Sequence, residues 1–224
     1  MSNYIAILGT QAFHNQWSSS DSKLVDIREW CEDVWANEIS PNGNYGASFA
    51  DWSEGAIAVP DSAFEDDNID DLSIRRDNAN DWLRDYWQYY DNYVAIIVID
   101  DWGQDDDKLG IALNSQAGSC CNRAAIVDAR ADRNGNLPSN LENVGSEGIA
   151  AHELVHLYGA QHTDGSTQDG GWFNPDEASI IAVPSDPIGC ADNGSLDEII
   201  SWYSDCTVNE VQDHIDSEDS IEPL

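Results

Sequence analysis

The residues Ala151-His152-Glu153-Leu154-Val155-His156-Leu157-Tyr158-Gly159-Ala160-Gln161-His162 contain the arrangement His-Glu-x-x-His-x-x-Gly-x-x-His, and three of the chain's five histidines fall inside it. On a helix, His152 and His156 are four residues apart and project from one face, so both imidazoles can reach a single ion. Glu153 sits beside that ion without having to ligate it, where it can take a proton from a metal-activated water. Gly159 is placed to end the helix, because a residue without Cβ turns through the left-handed conformation at little cost. The turn brings His162 back as a third ligand. Three protein ligands and one open position describe a catalytic zinc site, whereas structural zinc sites are closed by four. The candidate residues are therefore His152, His156 and His162 for the metal and Glu153 as general base.

These residues need a scaffold, and the chain supplies signals for one. Tyr4 to Leu8 reads as a first strand closing at Gly9. Ser20 or Asp21 can cap a helix with Leu24, Ile27, Cys31, Val34 and Trp35 on one face, ending before the turn cluster Pro41-Asn42-Gly43-Asn44. Strand-like pieces lie between Ala47 and Val59, with Ala56-Ile57-Ala58-Val59 the strongest. The acidic run Glu65 to Asp71 reads as a solvated loop. A second helix is expected from about Leu72 to Tyr90, carrying Ala79, Trp82, Leu83, Tyr86 and Tyr90 as a packing stripe. Tyr93 to Ile99 is apolar on both faces, as a central strand covered by helices should be. Ile111-Ala112-Leu113 and Ala124-Ala125-Ile126-Val127 add two more strands. The zinc helix is expected to start near Ser146, with Glu147 in its first turn, Ala151, Leu154, Val155 and Tyr158 toward the core, and Ile149, His152, Glu153 and His156 toward a cleft. A last helix is expected at about Leu196 to Trp202 or Val208 to Ile215, before a frayed tail. Strands alternating with helices give an α/β (α+β) class with a twisted mixed sheet.

The extended zinc motif resembles that of the metzincin metallopeptidases. Leu109-Gly110-Ile111-Ala112-Leu113, Gly118-Ser119-Cys120, Arg123-Ala124-Ala125-Ile126-Val127-Asp128 and Tyr203-Ser204-Asp205-Cys206-Thr207 are similar to stretches of the adamalysin/reprolysin-like branch. The resemblance runs from about Leu109 to about His214. It implies an N-terminal lobe, residues 1–162, that includes the zinc helix, and a small irregular C-terminal lobe, residues 163–224, with one helix; the zinc cleft lies between these lobes of a single catalytic domain. It also implies that the strand from Leu109 to Asn114 is an antiparallel edge that pairs with an extended substrate, and that Cys190 bonds Cys206. Metzincins carry a methionine in a turn beneath the zinc, but the only methionine here is Met1. The equivalent turn is Ser179-Ile180-Ile181-Ala182-Val183-Pro184, with Ile181 in methionine's place, an aliphatic swap a hydrophobic floor tolerates.

Composition sets the setting of that chemistry. The 224 residues, 41% of them hydrophobic, with nine Trp and eight Tyr, are those of a globular protein. Against 43 acidic residues stand only 9 basic ones, a formal net charge of -34. Molar salt screens such self-repulsion to within about 3 Å. A halophilic protein is the simplest reading, with a polyanion-mimicking or calcium-storing surface as its rival. Nucleic acid is excluded as an expected partner, no apolar stretch is long enough to span a membrane, and a monomer acting on a polypeptide is expected. The opening Met1 to Leu8 lacks the basic n-region of a secretory signal; the resembled peptidases are mostly secreted, so extracellular and cytoplasmic locations both stand. Among Cys31, Cys120, Cys121, Cys190 and Cys206 at least one is unpaired. The adjacent Cys120 and Cys121 are not expected to bond each other.

The expectation is thus a zinc-dependent endopeptidase adapted to high salt, one Zn2+ ion its cofactor. A catalytically weak zinc-containing binding or toxin-like protein on the same fold is the alternative. His14 and His214 read as surface residues. Asp164 is either an orienter of a ligating imidazole or a turn residue, and Tyr203 reads as packing. Asp128 and Asp132 are candidates for Ca2+, but in a chain this acidic they read as solvated.

Overall fold

Three apolar runs, Ile5 to Leu8, Ala95 to Ile99 and Ala124 to Val127, are almost wholly shielded from solvent. They form the middle of a five-stranded sheet built from β1 (Asn3–Gly9), β2 (Ala47–Asp51), β3 (Ala95–Asp100), β4 (Gly110–Ile111) and β5 (Ala124–Asp128). The spatial order is β2-β1-β3-β5-β4. The first four strands are parallel, and β4 runs antiparallel to β5 at the edge, Gly110 opposite Val127 and Ile111 opposite Ile126. The structure, a computed structural model, describes residues 3–52, 57–64, 71–101, 109–132, 145–168, 177–178, 198–199 and 203–217.

Five helices are described: α1 (Gln11–Gln16), α2 (Ser20–Val34), α3 (Leu72–Tyr86), α4 (Gly145–Leu157) and α5 (Asp205–Ser217). A parallel sheet must be covered on both faces, and side chains alternating along each strand divide the core accordingly. Ile5, Ile7, Ile97, Ile99, Ala125 and Val127 pack with α2 and α4, while Ala6, Leu8, Ile96, Val98, Ala124 and Ile126 pack under α3. The protein is therefore mixed α/β, as expected. None of its described helices is long and apolar enough to cross a membrane.

Local expectations shifted where tertiary contacts outweigh pattern. Between Ala47 and Val59 the strand is Ala47–Asp51; Val59 makes only an isolated bridge to Thr10, and Ala56 lies outside the described residues. The second helix stops at Tyr86, and Tyr90 sits in a separate short turn. α2 runs on through a wider π turn, Trp35–Ile39, that closes on Ser40 before Pro41. The final helix is Asp205–Ser217; the alternative at 196–202 is overturned at Glu198–Ile199, which form β8, paired in a small three-stranded sheet with β7 (Glu177–Ala178) and β6 (Thr167–Gln168). The segment expected to hold Ile181 lies outside the described residues, as does Cys190.

The cysteine expectation is corrected. Cys120 and Cys121 are joined to each other, their Cα atoms 3.8 Å apart across a trans peptide, in an exposed turn. The turn that carries them is closed by Ser119, whose Oγ accepts the Cys121 and Asn122 N–H groups. Cys31 is the buried free thiol, and Cys206 is itself disulfide-bonded. Asp128 is also corrected: it is buried at the end of β5, 3% exposed, and held by Arg130 at 2.8 Å. Burial pushes its carboxyl up and Arg130 pulls it back down. The side chain of Asp132 lies outside the described residues.

Candidate metal centre

α4 starts at Gly145, whose φ of 55° suits a residue without Cβ, and Glu147 stands in the first turn where the helix dipole favours an anion. The helix was expected to divide into core and cleft faces. Instead it is enclosed nearly all round, with Glu153 6% and His156 8% exposed and His152 half-buried. The reason is that α2, the sheet, the loop after β4 and residues 203–207 all close on it.

Its end is a Schellman turn. Gly159 has φ 96°, its N–H donates to the His156 carbonyl at 3.0 Å, and the Ala160 N–H donates to the Val155 carbonyl at 3.1 Å. The loop following β4 covers the last carbonyls, with Ser115 N–H on His156 O at 3.1 Å and Ala117 N–H on Leu157 O at 2.8 Å. The turn then serves the site twice. It reverses the chain so that His162 faces the helix, and it presents the Ala160 carbonyl to His156 Nδ1 at 2.7 Å. With Nδ1 donating, Nε2 of His156 keeps its lone pair for a metal.

The Nε2 atoms of His152 and His156 are 3.0 Å apart, and those of His152 and His162 are 3.3 Å apart. The three rings converge with centroids 4.7 to 5.2 Å from one another, and one ligand atom from each lies within a span of 4.8 Å. This is a site that could hold a metal ion, and among the described residues no other His/Cys/Asp/Glu group does so. Burial pulls His156 down to about 4, partly offset by the Ala160 carbonyl and reinforced by His162. Burial likewise pushes Glu153 up to about 8, opposed by the facing Ala112 N–H and by the charge of Arg76. A buried imidazole that stays neutral suits a metal ligand, and a buried carboxyl whose proton affinity is raised toward neutrality suits a group that must take up a proton and give it back.

The remaining candidates find structural places. Asp164 accepts the Gln161 N–H at 2.6 Å in a capping box, so it closes the His162–Asp164 turn and does not orient an imidazole. His14 is half-buried against Ser20 (3.0 Å), and His214 packs on the Tyr158 ring and reaches the Ala117 carbonyl; neither joins the triad. Tyr203 is packed, 4% exposed, and its hydroxyl donates to the Ala151 carbonyl at 2.9 Å. Its neighbours do more than the sequence alone indicated. The Ser204 and Thr207 hydroxyls both donate to the Asp164 carbonyl, so the segment 203–207 fastens α4 with one hand and the His162 turn with the other. Its likeness to a family motif was the one signal that marked it.

No protein-family model matches this chain, and a search of curated proteins finds no relative.

Proposed function

We propose that the chain is a zinc-dependent endopeptidase of the metzincin type. The observation that carries this reading is the convergence of three imidazole nitrogens on a helix whose glycine turn returns the third. The donor set fits: Zn–N bonds of about 2.0 Å at tetrahedral angles separate ligand atoms by roughly 3.3 Å, close to the 3.0 and 3.3 Å found. Neutral imidazoles also suit copper, iron and nickel, and the His-Glu-x-x-His context favours zinc. Zinc held by His152, His156 and His162 would supply Lewis acidity toward a carbonyl and a water of lowered pKa.

The rest is done by the chain's own residues. Glu153 accepts the proton of the attacking water and passes it to the leaving amine. Its enclosure keeps solvent from competing for that proton. β4, last in the sheet order, offers its outer edge to an extended polypeptide. The acidic surface speaks against nucleic acid as a substrate and for work in concentrated salt.

The test is hydrolysis of an unstructured protein in molar salt before chelation, after it, and with zinc restored. Activity should vanish with the chelator and return with zinc. Glu153→Ala should bind one zinc per chain yet turn over nothing. Undiminished hydrolysis by that variant would rule out the mechanism, and stoichiometric zinc without hydrolysis by the wild type would leave a zinc-containing binding protein.

A further inference from the structure

We infer that Gly110 and the amide of Ala112 form a clamp that sets the pose of the Glu153 carboxylate, which makes Gly110 a positioning residue for the reaction. The inference rests on the reading of Glu153 as general base. β4 approaches α4 so closely that a Cβ at Gly110 would lie 2.8 Å from Glu153 Cγ, 2.8 Å from its Oε1 and 3.0 Å from Ile149 Cγ2. Distances of that size are below any ordinary carbon contact, so no other residue fits there without moving the strand or the carboxylate. The φ of Gly110 is not in the left-handed region. Space, not backbone freedom, is what calls for glycine.

The second jaw follows from strand geometry. The Leu109 carbonyl accepts the Asp128 N–H at 2.8 Å, so residue 109 turns its polar groups toward β5. Alternate residues of an antiparallel strand face opposite ways, so Gly110 turns its polar groups to the outer edge, and the strand ends at Ile111. Just past the end of the strand, the Ala112 N–H faces the Glu153 carboxylate and favours its charged form. One oxygen of Glu153 is thereby pinned against the strand that an extended substrate would join. An incoming strand finds the polar groups of Gly110 on that edge, while the Ala112 amide is already engaged by Glu153.

The clamp is tested first without metal or substrate. Amide exchange at Ala112 is compared among wild type, Glu153→Ala and Gly110→Ala, with Ile97 of the central strand as reference. Protection of Ala112 should fall at least about tenfold in both variants while Ile97 is unchanged; unchanged protection at Ala112 overturns the clamp. Glu153→Ala only removes atoms, so it decides this arm alone if Gly110→Ala does not fold. In zinc-loaded protein, Gly110→Ala should keep the wild-type zinc stoichiometry and KM and lose roughly ten- to a hundredfold in kcat. A kcat equal to wild type overturns the positioning role. A wild type without turnover defeats the peptidase reading instead, and the exchange comparison still decides the clamp.

Discussion

The Lys23 ammonium meets the Glu147 carboxylate at 2.5 Å, joining α2 to the first turn of α4 across 124 residues. It is one of only two lysines in the chain, and both side chains are largely buried, 12% and 22% exposed. The other basic side chains described are likewise spent inside the molecule. Arg28, Arg75, Arg76, Arg84 and Arg130 are ion-paired, and Arg123 donates to the Tyr93 carbonyl while stacking on Tyr90. Replacing Lys23 by Met leaves Glu147 without its counter-charge in a half-enclosed place. Denaturant unfolding in molar salt should show a loss of about 1–2 kcal/mol, between the values typical of exposed and buried pairs. An unchanged midpoint would mean that the pair holds nothing together.

Gly159 governs both the return of His162 and the carbonyl that orients His156. Alanine there would hold a side chain at φ 96° with its Cβ 3.1 Å from Ser115 Oγ and 3.3 Å from Glu210 Oε1. The expected cost is about 1–3 kcal/mol of stability, accompanied by weaker zinc binding in a competitive chelator titration. Asn, which tolerates the left-handed region better, should fall between Gly and Ala. Zinc affinity equal to wild type in Gly159→Ala would dissociate the turn from the site.

Protons and metal compete for the triad. In the metal-free protein His156 titrates near 4 against an ordinary 6.5. Across that window the unfolded chain binds a proton at His156 and the folded chain does not. The unfolded state therefore gains as acid is added, and His156 makes stability fall as pH drops from about 6.5 toward 4. Because the many carboxylates titrate nearby, the effect is read as the difference between wild type and His156→Asn in molar salt. The gap should move against the wild type through this window; a gap independent of pH would show that His156 is not buried neutral.

A net charge of -34 with the described cations committed to local pairs leaves surface repulsion to be screened by solvent ions. Unfolding temperature should climb steeply from tens of millimolar to molar salt. Potassium and sodium chloride should act alike if screening is the cause. Equal stability at low and high ionic strength would remove the high-salt reading without touching the metal site.

The metal motif was legible because it is local. His152, Glu153, His156, Gly159 and His162 span eleven residues, and helix periodicity with a glycine stop suffices to turn that spacing into three converging imidazoles. The apolar runs at Ile5 to Leu8, Ala95 to Ile99 and Ala124 to Val127 announced strands, and the run up to Ile99 a central one, since a strand covered on both faces has no polar alternation to show. What stayed illegible depends on partners distant along the chain. Nothing near Ala56 told that Ala47–Asp51 would be the strand that pairs with β1, because pairing is a contest for a neighbour that the strand itself does not encode. The enclosure of α4, the grip of Tyr203 on Ala151 and of Ser204 on Asp164, and the closeness of Gly110 to Glu153 exist only once the sheet order brings residues 40 to 52 positions apart into contact. Sequence by itself determined which side chains could do chemistry. The tertiary structure decided how deeply they are buried, and therefore which protons they hold, because solvent exclusion is a property of packed elements and of no single one.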